Sequence, residues 1–287
     1  MHAAQLLLLL ACASLANAAP MPVIRWLVHD FPPYEIASGK DKGEGIADHY
    51  REALIRHFPQ YQHVVEQVSV QRREEMMRRS DQPMCAITMF KNAEREVFAR
   101  FSRRPYQYLL PPRLIALPDV AKSLGAAQAG EDISLVKAVA NGQHLIGLHP
   151  RRRFGSAIDS QLQQIQQRQP DALRYFQETG EASLSNLLSL LSKGRFDLTL
   201  GYTSEVEYLR RKHPELPTLT FLPIQGSGQL LPGHVSCNRT PIGEALIADV
   251  DRLDDHAQLE ESVRSEYEAL LTVEERRRYQ KLHPGIK

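Results

Sequence analysis

Apolar and polar positions follow two periods along this chain. Val23-Ile24-Arg25-Trp26-Leu27-Val28 is nearly continuous in β-branched and aromatic character, the pattern of a strand buried on both faces of a parallel sheet. Asp30-Phe31-Pro32-Pro33-Tyr34 stops it, because two prolines cannot continue a central strand. After the glycine-rich turn from Gly39 to Gly45, Ile46, Ala47, Tyr50, Ala53, Leu54 and Phe58 recur at helical spacing, and Pro59 ends that helix. The alternation repeats, predicting a strand over 64–70, a short helix over 72–79, a strand over 84–89 and a helical turn over 92–98. Strands alternating with helices argue an α/β architecture with a mostly parallel sheet covered by helices.

The pattern then breaks. Pro105, Pro111, Pro112 and Pro118 flank Leu114-Ile115-Ala116-Leu117, which reads as an extended crossing segment. A second alternating unit follows: helix 135–140, strand 145–148, a glutamine-rich helix 156–168, strand 173–176, helix 183–193 closed by Gly194, strand 196–200 and helix 203–212. A third stretch predicts short strands at 219–222 and 234–236 and helices over 242–253, 259–271 and 273–282, with Thr272 and Glu275 as a capping box.

The N-terminus adds a location. Leu6 to Leu10 lead to Ala16-Asn17-Ala18, an apolar run with an Ala-x-Ala cleavage signal, so residues 1–19 are expected to be a secretory signal peptide and the remainder periplasmic. A lipoprotein signal, with Leu9-Leu10-Ala11 before Cys12, is the alternative, and would leave a tethered protein. Length, 287 residues, suits about two domains. A net charge of +1 gives no reason to expect nucleic acid as a partner. Removing Cys12 leaves Cys85 and Cys237, an even count that favours a disulfide in an oxidising compartment.

Catalytic signatures are missing. The sequence has no His-Glu-x-x-His, Gly-x-Ser-x-Gly, Walker loop or Cys-x-x-Cys. Its histidines lack ligand spacing, so neither a metal site nor a cofactor is expected. Asp30, just past a strand end, is either a functional group or a turn cap. Asp30 and Glu44 would be the acid–base candidates were this an enzyme, but no paired arrangement supports one.

Five stretches together carry a resemblance. They are Asp30-Phe31-Pro32-Pro33-Tyr34, Gly43-Glu44-Gly45-Ile46-Ala47-Asp48, the run Asn92-Ala93-Glu94-Arg95-Glu96 leading to Phe101-Ser102-Arg103-Arg104-Pro105-Tyr106, Arg152-Arg153-Phe154-Gly155-Ser156, and the segment 187–202. In this order the chain resembles bacterial solute-binding protein family 3, the type II periplasmic binding proteins of amino-acid ABC transporters. The resemblance implies two α/β lobes, the first from 22–112 plus 220–287 and the second from 113–219, with a ligand cleft between them. Cys85 and Cys237 would both lie in the first lobe. It implies that Tyr34 walls the ligand, that backbone at Thr88, Met89 and Phe90 lines the cleft, and that Arg95 grips a carboxylate through a bidentate fork. Arg153, Phe154 and Ser156 would stand at a helix start that receives anions. Two positions depart from the family: Tyr202 replaces the acid that holds an α-ammonium, and Asn92-Ala93 replace the usual Thr-Pro. Asp197 matches an acid with a structural role. The implied function is capture of a small polar or anionic solute by a monomeric protein, for a membrane permease or, alternatively, a membrane receptor.

Overall fold

The computed structural model describes residues 20–125, 132–150, 152–176 and 183–285; residues 1–19, expected to be a signal peptide, lie outside them with Cys12. The first half builds β1 (Val23–Val28), α1 (Ile46–His57), β2 (Gln62–Gln67), α2 (Val70–Arg79), β3 (Met84–Ala86), α3 (Ala93–Glu96), β4 (Ala99–Phe101), β5 (Gln107–Leu109), β6 (Arg113–Ala116), α4 (Pro118–Ser123) and α5 (Leu135–Val139). The second half adds β7 (Ile146–Leu148), α6 (Ser156–Arg168), β8 (Leu173–Tyr175), α7 (Ser183–Ser192), β9 (Leu198–Gly201), α8 (Thr203–Lys212), β10 (Thr220–Leu222), β11 (Leu231–Gly233), β12 (Ser236–Asn238), α9 (Pro241–Val250), α10 (His256–Leu270) and α11 (Val273–Leu282).

Two five-stranded sheets have the same plan. One runs β2-β1-β3-β12-β4 and the other β8-β7-β9-β6-β10. In the first, β1 pairs in parallel with β2 and β3, and β12 is antiparallel to both β3 and β4. In the second, β7 pairs in parallel with β8 and β9, and β6 is antiparallel to both β9 and β10. Each sheet is thus mostly parallel, with one reversed strand. That strand is the one that follows a crossing between the sheets: β6 on the way out, β12 on the way back. A β5–β11 ribbon joins the two crossings.

The 105–118 segment therefore does more than cross, since it contains β5 and β6. The return also comes later than position 220. Thr220, Phe221 and Leu222 pair with Ala116, Ile115 and Leu114 in the second sheet, and Ile224 packs in the second core. The strand expected over 64–70 ends at Gln67, because the Ser69 hydroxyl accepts from Arg72 N–H and caps α2. The strand expected over 84–89 stops at Ala86.

Each sheet has its own core. Trp26, Ile24, Leu54, Val235 and Leu246 belong to one, and Leu114, Ile146, Leu198 and Ile158 to another. Cys85 and Cys237 are register partners on β3 and β12, joined by a disulfide spanning 152 residues of sequence. It fastens the returning segment to the strand it must pair with. The second sheet is tight at Gly147: a Cβ there would lie 2.4 Å from the Phe196 ring. Gly147→Ala is therefore expected to destabilise the protein by about 1–3 kcal/mol through overpacking, read as a lower urea midpoint at unchanged slope.

Candidate functional site

The junction between the lobes is built on the turn after β1. Phe31 and Glu35 exchange backbone hydrogen bonds of 2.8 and 3.0 Å, closing a tight loop over the two prolines. The N-terminus of α1 then holds it: Ile46 N–H donates to Pro33 O at 3.1 Å and Ala47 N–H to Tyr34 O at 2.8 Å. Gly45 is required here, since a Cβ would meet Tyr34 O at 2.4 Å. These contacts fix the direction of the Tyr34 ring.

Tyr34 points into the second lobe. Its hydroxyl shares a 2.6 Å hydrogen bond with Ser204 Oγ at the start of α8. Phe31 and Tyr34 meet Tyr202 edge-on at 6.2 and 6.3 Å between centroids. Further out, Lys212 pairs with Asp41, and Arg211 donates to Ala269 O. Burial, with Tyr267 nearby, pushes the Tyr34 phenol well above its ordinary range, so it remains a neutral hydroxyl. Removing either hydroxyl strands its partner in a buried contact. Tyr34→Phe and Ser204→Ala are expected to couple by about 1 kcal/mol in a double-mutant cycle, measured by denaturant unfolding.

Beneath the turn lies a buried charged network. The Thr88 hydroxyl donates to Glu35 Oε2 at 2.6 Å, and His29 Nδ1 lies 3.1 Å from the same oxygen. Arg73 Nη1 donates to Thr88 Oγ1 at 3.2 Å and lies 3.1 Å from His29 Nδ1. Burial alone would raise the Glu35 carboxyl, but the hydrogen bond and charge of His29, the charge of Arg73 and the Thr88 hydroxyl outweigh it, holding it below the usual value. Burial, reinforced by Arg73, pushes the His29 imidazole down. Burial likewise brings the Arg73 guanidinium down to about 10, so it stays charged at neutral pH. His29 stacks on Phe31 at 5.6 Å, linking this network to the junction.

Across the junction, Arg152 Nη2 donates to Glu205 Oε2 at 2.5 Å. Glu205 holds its place by also accepting from Tyr202 N–H at 3.0 Å, the reciprocal cap of α8. The Arg152 guanidinium lies 5.2, 5.4 and 5.6 Å from the ring centroids of Phe31, Phe154 and Tyr202. Four buried polar atoms near the junction have no hydrogen-bond partner: Glu35 Oε1, Arg73 Nε, Arg152 Nη1 and Tyr202 Oη. Such atoms are costly in a closed interior and suit a site made for polar groups.

The residues named from sequence divide among several places. Tyr34, Thr88, Phe154 and Tyr202 lie at the junction or in the network below it. Met89 is buried in a side cluster with Met77 and Phe98. Phe90 offers its carbonyl to Arg95 Nη1 at 2.9 Å, and the rest of that guanidinium grips Glu74 Oε1 at 2.6 and 3.1 Å. Arg95 thus spends its fork on its own lobe. Arg153 and Ser156 are exposed at the start of α6, where Asp159 accepts from Phe154 N–H at 3.0 Å. Asp30 accepts from Ala37 N–H at 2.9 Å, capping the turn. Glu44 is exposed. Asp197 accepts from Leu145 N–H at 2.8 Å, a structural bond.

Sequence reasoning missed His29, Phe31, Glu35, Arg73, Arg152, Ser204 and Glu205. Glu205 had a signal: it stands three residues after Tyr202 at a helix start, where an acid caps. Arg73 had none, because it reads as one basic residue in a charged helix face. Among the described residues, no group of three or more His, Cys, Asp or Glu is placed to hold a metal ion, and no helix is long and apolar enough to cross a membrane.

Neither a family model nor a curated protein matches the sequence. Solved structures do. A histidine kinase sensor domain with similarity to periplasmic binding proteins matches with a TM-score of 0.58 at 14% identity, covering 87% of this chain and 93% of that one. An amino-acid ABC transporter substrate-binding protein from Streptococcus pneumoniae, bound to L-arginine, gives the same TM-score of 0.58, identity of 14% and coverage of 87% and 93%. The periplasmic VFT2 domain of Bordetella pertussis BvgS matches at 0.55 and 15% identity, covering 85% and 93%. The chain has the two-lobed fold of the type II periplasmic binding proteins.

Proposed function

We propose that this chain is an exported solute-binding protein of the family 3 type, which closes its two lobes on a small polar or anionic, amino-acid-like solute. The observation that carries this reading is the junction itself. Aromatic rings of both lobes flank the unpartnered Arg152 Nη1, and the interlobe contacts among the described residues include a hydroxyl pair, ring edges, the Lys212–Asp41 ion pair and the Arg211 bond to the Ala269 carbonyl. A junction of that kind opens at modest cost and gains when a solute contacts both sides. The apolar leader and the Cys85–Cys237 disulfide support a periplasmic location. The replacement of the ammonium-binding acid by Tyr202 weighs against an ordinary α-amino acid.

Delivery to an ABC-type permease is the primary role. Sensing for a membrane receptor is the second reading, favoured by the likeness to a histidine kinase sensor domain and to the BvgS domain. Thermal-shift screening of the purified protein against amino acids, organic acids and short peptides tests the binding step. At least one solute is expected to raise the melting temperature by several degrees; flat melting curves across all three classes would remove the proposal.

A further inference from the structure

The subsite around Arg152 has the chemistry of a receptor for a cation. Three rings, Phe31 from one lobe and Phe154 and Tyr202 from the other, surround the guanidinium at 5.2–5.6 Å. The Glu205 carboxylate neutralises it at 2.5 Å. Aromatic faces plus one desolvated carboxylate are the elements that hold a guanidinium or ammonium in a protein interior. Phe154, Tyr202 and Glu205 are 2, 2 and 3% exposed, so the receptor is buried and formed.

Its occupant is the chain's own side chain. Arg152 stands in the stretch between β7 and α6, not within either element. It reaches the ring of Phe31 in the opposite lobe. Its fit is incomplete, because Nη1 is buried without a hydrogen-bond partner. Meanwhile Glu205 also accepts from the Tyr202 N–H, so its carboxylate has an anchor besides Arg152.

We infer that Arg152 is a tethered occupant of a cation subsite: it bridges the lobes and competes with free solutes bearing a guanidinium or alkylammonium group. This rests on the lobe-closure reading and moves its solute class away from anions, toward cations and zwitterions with a basic tail. A solute that fills the subsite displaces Arg152, pairs with Glu205 and stacks between the same rings. Removing Arg152 leaves Glu205 uncompensated and raises the demand for an external cation.

Calorimetric titration with L-arginine, which carries the same guanidinium on the same three-carbon stem, tests the inference on wild type, Arg152→Ala and Arg152→Ala/Glu205→Gln. Arg152→Met, which retains most of the aliphatic bulk, serves if the alanine variant does not fold. The Arg152 variant is expected to bind L-arginine at least tenfold more tightly than wild type, and the gain is expected to vanish in the double variant. No gain overturns the inference. Titration with L-glutamate separates the two levels of the account. If wild type binds L-glutamate and the Arg152 variant loses it, Arg152 is a direct ligand contact; the inference falls while the solute-binding reading stands. If neither solute binds either protein and the thermal-shift screen is also flat, both fall.

Discussion

Replacing both Cys85 and Cys237 with alanine is expected to cost the protein several kcal/mol of stability, about 2–5 kcal/mol. The disulfide closes a loop of 152 residues. In the chain-entropy account, a loop of that length contributes about 5 kcal/mol, with 2–5 kcal/mol the usual cost of removing a native disulfide. The bridge also sits where it matters topologically. β12 is the strand that returns from the second lobe, and it is the centre of the join between β3 and β4. Without the crosslink, closing that loop falls to the short pairings at Ser236 and Cys237 and to side-chain bonds from Ser236 and Asn238 on the β3 side. The measurement is thermal or urea unfolding of the oxidised wild type against the variant. A fall in melting temperature of roughly 10 °C is expected; a shift of only 1–2 °C would mean that packing around Val235 and Ile247, and not the crosslink, secures the returning segment.

Arg73→Met is the second large effect, at about 1–3 kcal/mol, the cost of removing a charged hydrogen-bond donor from a buried network. Glu35 is 0% exposed and Arg73 2%, so the methionine stem fits while the charge disappears. The Glu35 carboxylate then keeps Thr88 and His29 but loses the guanidinium that offset its burial. Glu35→Gln in the same background removes the stranded charge and is expected to recover part of the loss. The pH dependence has a definite sign. Glu35 titrates below its ordinary value of 4.5 in the folded protein. Its stabilising contribution is therefore complete above about pH 4.5 and is lost as pH falls through the lower folded value. In Arg73→Met part of the offset is gone while His29 and Thr88 remain, the carboxyl titrates upward, and acid unfolding begins at a higher pH than in wild type. Urea midpoints collected from pH 3 to pH 7 would record both effects; superimposable acid limbs for the two proteins would contradict the electrostatic role given to Arg73.

Much of the fold was legible because it rests on local pattern. The nearly continuous apolar run at 23–28 reads as a buried strand, and helices 203–212 and 273–282 are bounded by Pro214 and by a capping box that act within a few residues. The sheet order was not local. The reversed strands β6 and β12 are three or four residues long, too short to show a period, and their direction is set by which edge the crossing chain reaches. Strand β10 was expected, but its membership in the second sheet depends on pairing with residues some hundred positions earlier.

The site was less legible than the fold. Tyr34 could be named because the turn that aims it is written in adjacent prolines and in Gly45. Arg95 was named by resemblance, yet its guanidinium turns to Glu74, which α2 supplies only once it is packed, and to the Phe90 carbonyl. Arg152 and Arg153 are neighbours of the same type. Nothing in the sequence says which of the two turns inward; the structure pairs Arg152 with Glu205 and leaves Arg153 exposed.

The central claim is that the two lobes close on a small solute. Small-angle X-ray scattering of the wild-type protein, alone and with each stabilising solute from the thermal screen, tests it most directly, with Tyr34→Phe/Ser204→Ala as the reference for a loosened junction. The account predicts that the double variant scatters as a more extended particle than wild type, and that solute returns it to the compact profile. Identical profiles for wild type and variant, with and without solute, would contradict it.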